Sequence, residues 1–262
     1  MSRGLSPIPL PPARAYRRLY ARYGAQGWWP TTPRGAEVPR YHPGRGAPVS
    51  ERDRAEICVG AVLAQNTNWS NAEKALGALH SAGVWTLGDV ERTAERSLAG
   101  LIRSSGYFRQ KAKKLKAFAR HAASRGKTLG RWLSGPLPEL RRELLDLWGV
   151  GPETADSILL YAGGRPAFVV DAYTRRQAAR LGWLRRPDYA RTQDYLVRRL
   201  PKSVRLYNEF HALVVRLAKE HCRAKPVCGG CPLLDGCRYG SRLRKRETFL
   251  KAYSSPLVPG AI

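Results

Sequence analysis

Four cysteines near the C-terminus constrain the fold of this chain more than any other feature of its sequence. Cys222, Cys228, Cys231 and Cys237 lie within 16 residues, in the spacing C-x5-C-x2-C-x5-C. Four thiolates from one compact loop suit a tetrahedral zinc ion or a cubane iron–sulfur cluster. In a reducing compartment, such clustering argues for a metal and against disulfides. The segment is therefore predicted to fold around a metal.

The spacing favours an iron–sulfur cluster, and zinc remains the alternative. Zinc ribbons usually carry two C-x2-C knuckles far apart in sequence, and this chain has one such knuckle. A zinc-ribbon nucleic-acid module without catalysis is therefore the less favoured interpretation. The fifth cysteine, Cys58, lies far upstream on an apolar helix face, which is typical of a core cysteine.

The charge balance points to a polyanionic partner. The 262 residues include 46 Lys and Arg against 20 Asp and Glu, a formal net charge of +26. A folded protein with this excess repels itself unless a polyanion lies nearby, and each neutralised phosphate releases a counterion that favours binding. Nucleic acid is the expected partner, and a surface tuned for solubility is the alternative.

No segment approaches the ~20 apolar residues that span a bilayer. The N-terminus also lacks the apolar core of a signal peptide. We therefore expect an intracellular protein, cytoplasmic and associated with the nucleoid, with no membrane partner.

Helical periodicity dominates the chain after a Pro-, Arg- and Gly-rich stretch of 48 residues. From Ser50 onward, apolar residues recur at helical spacing, and glycines separate the periodic segments. Helices are expected near 13–23, 92–104, 109–123, 138–147, 152–162, 172–181, 189–199 and 204–220. Only residues 167–170 look extended, and they are too few to seed a sheet. The sequence predicts an all-α protein.

Two glycines predict a hairpin between two of these helices. Gly149 and Gly151 flank Val150 in the segment Leu-Trp-Gly-Val-Gly. Backbone N–H groups at such a turn, followed by a helix N-terminus, can hold a phosphate. The motif alone is weak because it is often only a turn between packed helices. The positive charge of the chain makes phosphate binding the favoured interpretation.

An aspartate follows this hairpin at the start of another predicted helix. Asp171 comes eighteen residues after Glu153 and directly after an apolar run. Helix capping alone would explain an aspartate there. A carboxylate held rigidly at a helix start can also stabilise a developing cation or activate water.

Together these motifs resemble the helix-hairpin-helix DNA glycosylases and, within them, the endonuclease III group. The likeness runs from about Ser50 to Cys237 and includes the segment Ala-Gln-Asn-Thr at residues 64–67. It implies two helical domains flanking a DNA-binding cleft. One is a six-helix barrel with the helix-hairpin-helix motif at 46–165. The other joins 1–45 to 166–262 and carries a [4Fe-4S] cluster on the four cysteines.

The resemblance also implies roles for single residues. A monomer would bind double-stranded DNA that contains a damaged base or an abasic site and flip the base out of the duplex. Gln65 would fill the vacated space, and Tyr107 would be the wedge in the opposite strand. Asp171 matches the family's catalytic aspartate. The basic run from Arg109 to Lys116 would follow phosphates, or else be a solvated helix face.

The chain departs from endonuclease III in two places. The first gap between cysteines is one residue shorter, which a flexible loop can absorb. Bifunctional relatives carry a lysine two residues after the last hairpin glycine, where this chain has Glu153. We therefore expect an N-glycosylase with weak or absent AP-lyase activity. The alternatives are a bifunctional enzyme that uses another amine and a catalytically silent binder of damaged DNA.

Tryptophans indicate a sub-branch of the family. Trp28, Trp29 and Trp69 resemble aromatic residues that line the base pocket in endonuclease III-like 3-methyladenine glycosylases. A cationic alkylpurine stacks well between electron-rich rings. The alternative is that these tryptophans are core packing. Lys219 is also placed near this pocket, and the choice between an alkylated purine and an oxidised pyrimidine stays open.

Overall fold

The computed structural model describes residues 9–44 and 50–244, and most of these residues lie in helices, including a helical stretch at 238–244 that follows the elements named below. The α-helices are α1 (Pro12–Tyr23), α2 (Glu51–Leu63), α3 (Trp69–Ser81), α4 (Leu87–Arg92), α5 (Glu95–Leu101), α6 (Phe108–Ser124), α7 (Leu129–Trp132), α8 (Leu137–Leu145), α9 (Pro152–Ser157), α10 (Ala172–Leu181), α11 (Tyr189–Val197) and α12 (Val204–Glu220). A π-helical segment, Ile158–Ala162, continues α9, and short 3-10 turns lie at Arg103–Ser105 and Leu234–Gly236.

The expected all-α class is confirmed. Extended pairing within the described residues is limited to one bridge between Thr31 and Arg40. The predicted helix near 92–104 is instead α5 followed by the 3-10 turn, and α4 and α7 are short helices that the periodicity did not predict. None of the helices described combines the length and the apolar character that crossing a membrane requires.

The chain folds into two compact units. The cysteine unit comprises Met1–Gly24, Val170–Leu200 and Leu213–Ile262, and the hairpin unit comprises Ala25–Val169 and Pro201–Ala212. The division expected from the sequence differs in that residues 25–44, 166–169 and 201–212 belong to the hairpin unit.

Helix α2 is the centre of the hairpin unit. The Ser50 side chain accepts from the Asp53 N–H, and the Asp53 side chain accepts from the Ser50 N–H, so a capping box defines the start of the helix. Every residue from Ala55 to Leu63 is buried, as expected for a helix covered on all sides. Helices α3, α6, α7 and α9 and the π-helical segment pack around it. Cys58 is fully buried there, as predicted, and burial raises its thiol pKa.

A buried carboxylate explains why residues 25–44 join the hairpin unit. Glu56 of α2 accepts from the Thr32 N–H at 2.9 and 3.0 Å and from Thr32 Oγ1 at 2.6 Å. Burial raises the pKa of Glu56, and the Thr32 bonds oppose that rise. The Gln26 N–H donates to Glu209 at 2.8 Å. Since a buried polar group is costly without partners, these bonds pin the segment to α2 and to the first half of α12.

The cysteine unit is held by bonds from side chains to backbone carbonyls. Trp183 Nε1 donates to the Leu10 carbonyl at 2.6 Å, and the Leu10 N–H donates to the Gly236 carbonyl at 3.3 Å. Gln177 Nε2 of α10 donates to the Val214 carbonyl of α12 at 2.7 Å. The segment before α1 therefore lies against the turn that precedes the last cysteine.

Candidate active site

The hairpin between α8 and α9 is a tight turn with an exposed tip. The Val150 N–H donates to the Leu147 carbonyl at 3.0 Å, and Gly149 has φ +83°, a conformation that favours glycine. Val150 is buried and anchors the turn, whereas Trp148 at the tip is 59% exposed. Gly151 caps α9 without a side chain. A Cβ at Gly151 would meet no other atom within 4 Å, so the backbone at the start of α9 is unobstructed by side chains.

Gln65 lies directly against this hairpin. Its Nε2 donates to the Gly149 carbonyl at 3.0 Å and to Thr154 Oγ1 at 2.9 Å, and its Oε1 accepts from Lys114 Nζ at 2.7 Å. The chain of Lys114 passes so close to Gly149 that a Cβ there would lie 2.6 Å from Lys114 methylenes. The structure thus joins Gln65 to the glycine turn, two motifs that are 84 residues apart in sequence.

The turn before α6 presents Tyr107 to solvent. Tyr107 has φ +46° and is 69% exposed. Behind it, Lys111 is buried and donates from Nζ to the carbonyls of Leu63 at 2.8 Å and Ser105 at 2.6 Å. Burial, with a contribution from the Lys114 charge, lowers the pKa of Lys111 to about 8. Lys111 therefore ties the end of α2 to the turn that carries Tyr107.

The basic run on α6 is neither one phosphate track nor one solvated face. Lys111 is buried, and Lys116 Nζ donates to backbone carbonyls, among them that of Thr93 at 2.8 Å. Arg109 and Lys113 are exposed. Only part of the run is available to a polyanion.

Three tryptophans of the hairpin unit form one cluster. Ring centroids are 5.0 Å apart for Trp28 and Trp69, 5.1 Å for Trp28 and Trp29, and 5.3 Å for Trp29 and Trp69. Trp29 is buried and packs on Tyr161, whereas Trp28 and Trp69 are half-buried. Trp28 and Trp69 touch edge to face, so a base would stack on an outer face of the pair, not between the rings. In the described structure all three indole N–H groups are buried without a hydrogen-bond partner.

Asp171 caps α10 in the cysteine unit. Its Oδ1 accepts from the Thr174 N–H at 2.6 Å and from Thr174 Oγ1 at 2.8 Å. The residue is 9% exposed, and the reciprocal bond from its own N–H to Thr174 completes a capping box. Asp171 therefore caps α10, and its bonds to Thr174 hold the carboxylate in one orientation.

Helix α10 also holds the first cysteine. Arg176 Nε donates to the Cys222 carbonyl at 2.8 Å, and Arg180 Nη1 donates to Cys222 Sγ at 3.3 Å and to the Arg223 carbonyl at 2.6 Å. Arg176 and Arg180 are four residues apart and so share a face of the helix. One helix therefore joins the Asp171 cap to the cysteine loop.

The four clustered cysteines lie near enough to one another in the cysteine unit for their charges to interact. A Cβ on Gly240 would lie 3.7 Å from Cys237 Cβ and 3.8 Å from Cys228 Sγ. Burial raises the pKa of Cys231 to about 11, and the charges of the other three cysteines contribute to that rise. Between residues 9 and 44 and between 50 and 244, no three His, Cys, Asp or Glu side chains meet around a single ion.

Comparisons with known proteins decide the family. The model of the HhH-GPD superfamily base excision DNA repair protein matches residues 59–202. The chain belongs to this superfamily. A protein of Methanocaldococcus jannaschii, provisionally named a DNA repair glycosylase, is 38% identical over 228 residues, which cover 86% of this chain and 94% of that protein. As an HhH-GPD member, the chain is a base-excision DNA glycosylase that acts on DNA with damaged bases.

Solved structures of HhH-GPD enzymes share the fold. An endonuclease III trapped as a covalent intermediate with DNA has a TM-score of 0.63 and 26% identity, and the match covers 76% of this chain and 89% of that one. The H. pylori 3-methyladenine DNA glycosylase bound to 1,N6-ethenoadenine has a TM-score of 0.66 and 24% identity, with 80% and 98% covered.

Two further expected site residues of this HhH-GPD glycosylase are exposed, one in each unit. Glu153 is exposed in the first turn of α9, in the hairpin unit. Lys219 is exposed in the last turn of α12, in the cysteine unit, and its carbonyl accepts from Arg223 Nε at 2.8 Å. The proposed roles of both residues rest on the family resemblance.

Several contacts in the site could not have been predicted from the sequence pattern. Lys111 and Lys114 were members of a basic run, and nothing in the run distinguishes a buried lysine from an exposed one. Tyr161 Oη and His211 Nδ1 lie 2.7 Å apart beside the tryptophan cluster although they are 50 residues apart in sequence. The exposure of Trp148 could have been predicted from the sequence, because the residue stands at the tip of a predicted turn, where a large aromatic side chain is unusual.

Proposed function

We propose that the protein is a monofunctional DNA glycosylase, which hydrolyses the N-glycosidic bond of a flipped base and leaves the abasic site uncut. The observation that carries this proposal is Glu153, at the position where bifunctional relatives have a lysine. A lysine amine attacks C1′ of the sugar and forms a Schiff base, which permits strand cleavage by elimination. A carboxylate cannot form that imine.

Hydrolysis requires a group that stabilises positive charge on the sugar. We assign this role to Asp171, whose carboxylate is fixed by Thr174 and so needs little reorganisation as charge develops. The C1′–N bond breaks with its electron pair leaving on the base. A water oxygen then forms the new bond to C1′ and loses a proton. If the base is a cationic alkylpurine, it leaves as a neutral molecule.

The tryptophan cluster supports an alkylated purine as the base. Trp28 and Trp69 are half-buried, so part of each side chain is open to solvent, and an electron-rich ring attracts a cationic base. A likeness to the H. pylori enzyme, which was solved with 1,N6-ethenoadenine, is consistent with a modified purine. Gln65, Tyr107 and the turn at Gly149–Gly151 would contact the DNA, and we place Lys219 near the base.

We also propose that Cys222, Cys228, Cys231 and Cys237 hold a [4Fe-4S] cluster. The cluster would supply structural support, because it fastens a basic loop to the helix that Asp171 caps. Arg180 donates towards Cys222 Sγ and the Gly240 N–H towards Cys237 Sγ, and both donors stabilise thiolate ligands.

The test uses duplexes that each carry one damaged base, either a methylated purine, ethenoadenine or an oxidised pyrimidine. We expect release of the modified purine, strand breaks only after alkali, and no adduct trapped by borohydride. Glu153→Lys supplies the missing amine, so a trapped adduct should appear with that variant. Efficient trapping by the wild-type protein would show that another amine attacks C1′ and forms the Schiff base. The monofunctional assignment would then be wrong.

A further inference from the structure

Gln65 is held at both ends of its amide, which is unusual for a side chain expected to enter DNA. The oxygen accepts from Lys114 Nζ at 2.7 Å, while the nitrogen donates to the Gly149 carbonyl at 3.0 Å and to Thr154 Oγ1 at 2.9 Å. These partners come from α6, from the hairpin and from α9. Gln65 is therefore attached to the hairpin before any DNA is bound.

Lys114 is the residue that completes this attachment. Its methylenes cover Gly149, where a Cβ would clash at 2.6 Å. The Lys114 chain thus touches the hairpin, and its ammonium group touches Gln65. The bond from a charged ammonium to a neutral amide is stronger than one between two neutral groups. It also fixes which end of the amide faces the hairpin.

The other lysines of this part of α6 do not share the role. Lys111 donates to the carbonyls of Leu63 and Ser105, and Lys113 is exposed. Lys113 is therefore a matched control for the loss of one positive charge from the same helix.

We propose that Lys114 is a positioning residue that locks Gln65 to the hairpin, so that phosphate binding by the hairpin and filling of the vacated base position occur as one event. A side chain already held in place loses little conformational entropy when it enters the duplex. Without the lock, the hairpin would still bind phosphate, but Gln65 would have to be ordered separately. The inference rests on the proposed DNA roles of Gln65 and the hairpin.

The test compares affinities for two DNA duplexes of the same sequence, one intact and one with a tetrahydrofuran abasic-site analogue. The analogue offers an empty position that Gln65 can fill, and the ratio of the two affinities measures that filling. Because neither duplex contains a base to excise, the result does not depend on the proposed glycosylase chemistry. General loss of phosphate contacts lowers both affinities and leaves the ratio unchanged.

We expect Lys114→Met to reduce the ratio about tenfold, the lower end of the effect of losing one hydrogen bond to a charged group. Lys113→Met should weaken both duplexes alike and keep the ratio within about twofold. Lys114→Arg, which keeps a charged donor, should restore most of the preference. Thr154→Val removes a different partner of the same amide and should lower the ratio in the same direction.

An unchanged ratio in Lys114→Met, or an equal fall in Lys113→Met, would overturn the proposal. If Lys114→Met does not fold, the same decision rests on Thr154→Val, with Lys114→Arg as the control that keeps the charged donor. A normal ratio in Thr154→Val, or the same fall in Lys114→Arg as in Thr154→Val, would count against the lock.

Discussion

The hairpin unit and the cysteine unit position their functional groups by different means. In the hairpin unit, a fully buried helix, α2, and two lysines hold Gln65 and the Tyr107 turn. In the cysteine unit, arginines of α10 donate to backbone carbonyls and to a sulfur of the cysteine loop. The first arrangement draws its stability from apolar burial, whereas the second is expected to need a metal.

The largest expected effect is loss of the cluster, which should affect the two units differently. Cys231→Ser should abolish iron binding and the brown colour, and it should unfold the loop from Cys222 to Cys237 while α2 keeps its fold. Hydrogen exchange measures both regions in one experiment, and metal analysis identifies the ion.

Cys58→Ala is the control for that experiment, because it changes a buried cysteine of the hairpin unit and should leave the iron content intact. A colourless protein that contains zinc would refute the iron–sulfur assignment. If the substitution lowers hydrogen-exchange protection equally in both units, the two units do not differ in their dependence on the metal.

A smaller but still large effect is expected at the helix cap of the cysteine unit. Asp171→Asn should slow base release between about 10²- and 10³-fold, because the neutral amide no longer stabilises the cationic sugar. The loss of a charged cap should lower the free energy of unfolding by about 1 kcal/mol. Single-turnover release of the damaged base and chemical denaturation measure the two effects.

Asp188 provides a matched control. It caps α11 in the same unit with nearly the same backbone conformation, φ −101° and ψ −178°, and its side chain accepts from the Arg191 N–H. Asp188→Asn should therefore reproduce the stability loss and leave base release unchanged. Similar activity losses in both variants would mean that Asp171 serves only as a cap.

An intermediate effect is expected at the tryptophan cluster of the hairpin unit. Trp69→Ala should reduce excision of an alkylated purine about 10- to 100-fold, the value of one base–aromatic stack. Trp69→Phe, which retains a ring, should recover much of this activity. Excision rates and thermal unfolding of both variants distinguish stacking from packing. Full activity, or an unfolded protein, in Trp69→Ala would favour the core-packing interpretation.

The smallest expected effect concerns Lys111 and pH. Burial lowers its pKa to about 8, whereas lysine in an unfolded chain titrates near ~10.4. Between these values the unfolded state binds more protons, so this group makes the free energy of unfolding rise with pH. From pH ~8 to ~10, the wild-type protein should gain on the order of 1 kcal/mol relative to Lys111→Met. Guanidine denaturation at both pH values measures the gain.

Lys113→Met is again the control, since its exposed charge should leave the pH dependence of the wild type unchanged. If Lys111→Met and the wild type show parallel pH dependence, the pKa of Lys111 is not lowered in the folded protein.

Local features were readable from the sequence because they depend on neighbouring residues. Most of the helices, the cap at Asp171 and the hairpin at Gly149–Gly151 follow from periodicity and from short-range hydrogen bonding. The spacing of the four cysteines, the net charge and the motif order were sufficient to predict the family.

Only the tertiary structure decided which neighbour each polar side chain meets. Periodicity assigns a face to Lys111, Lys113 and Lys114 but does not show that one is buried under carbonyls, one exposed and one bonded to Gln65. The same holds for Glu56, whose contact with Thr32 places residues 25–44 in the hairpin unit. These contacts join residues far apart in the chain. Their formation depends on how apolar burial brings helices together, which the local pattern does not encode.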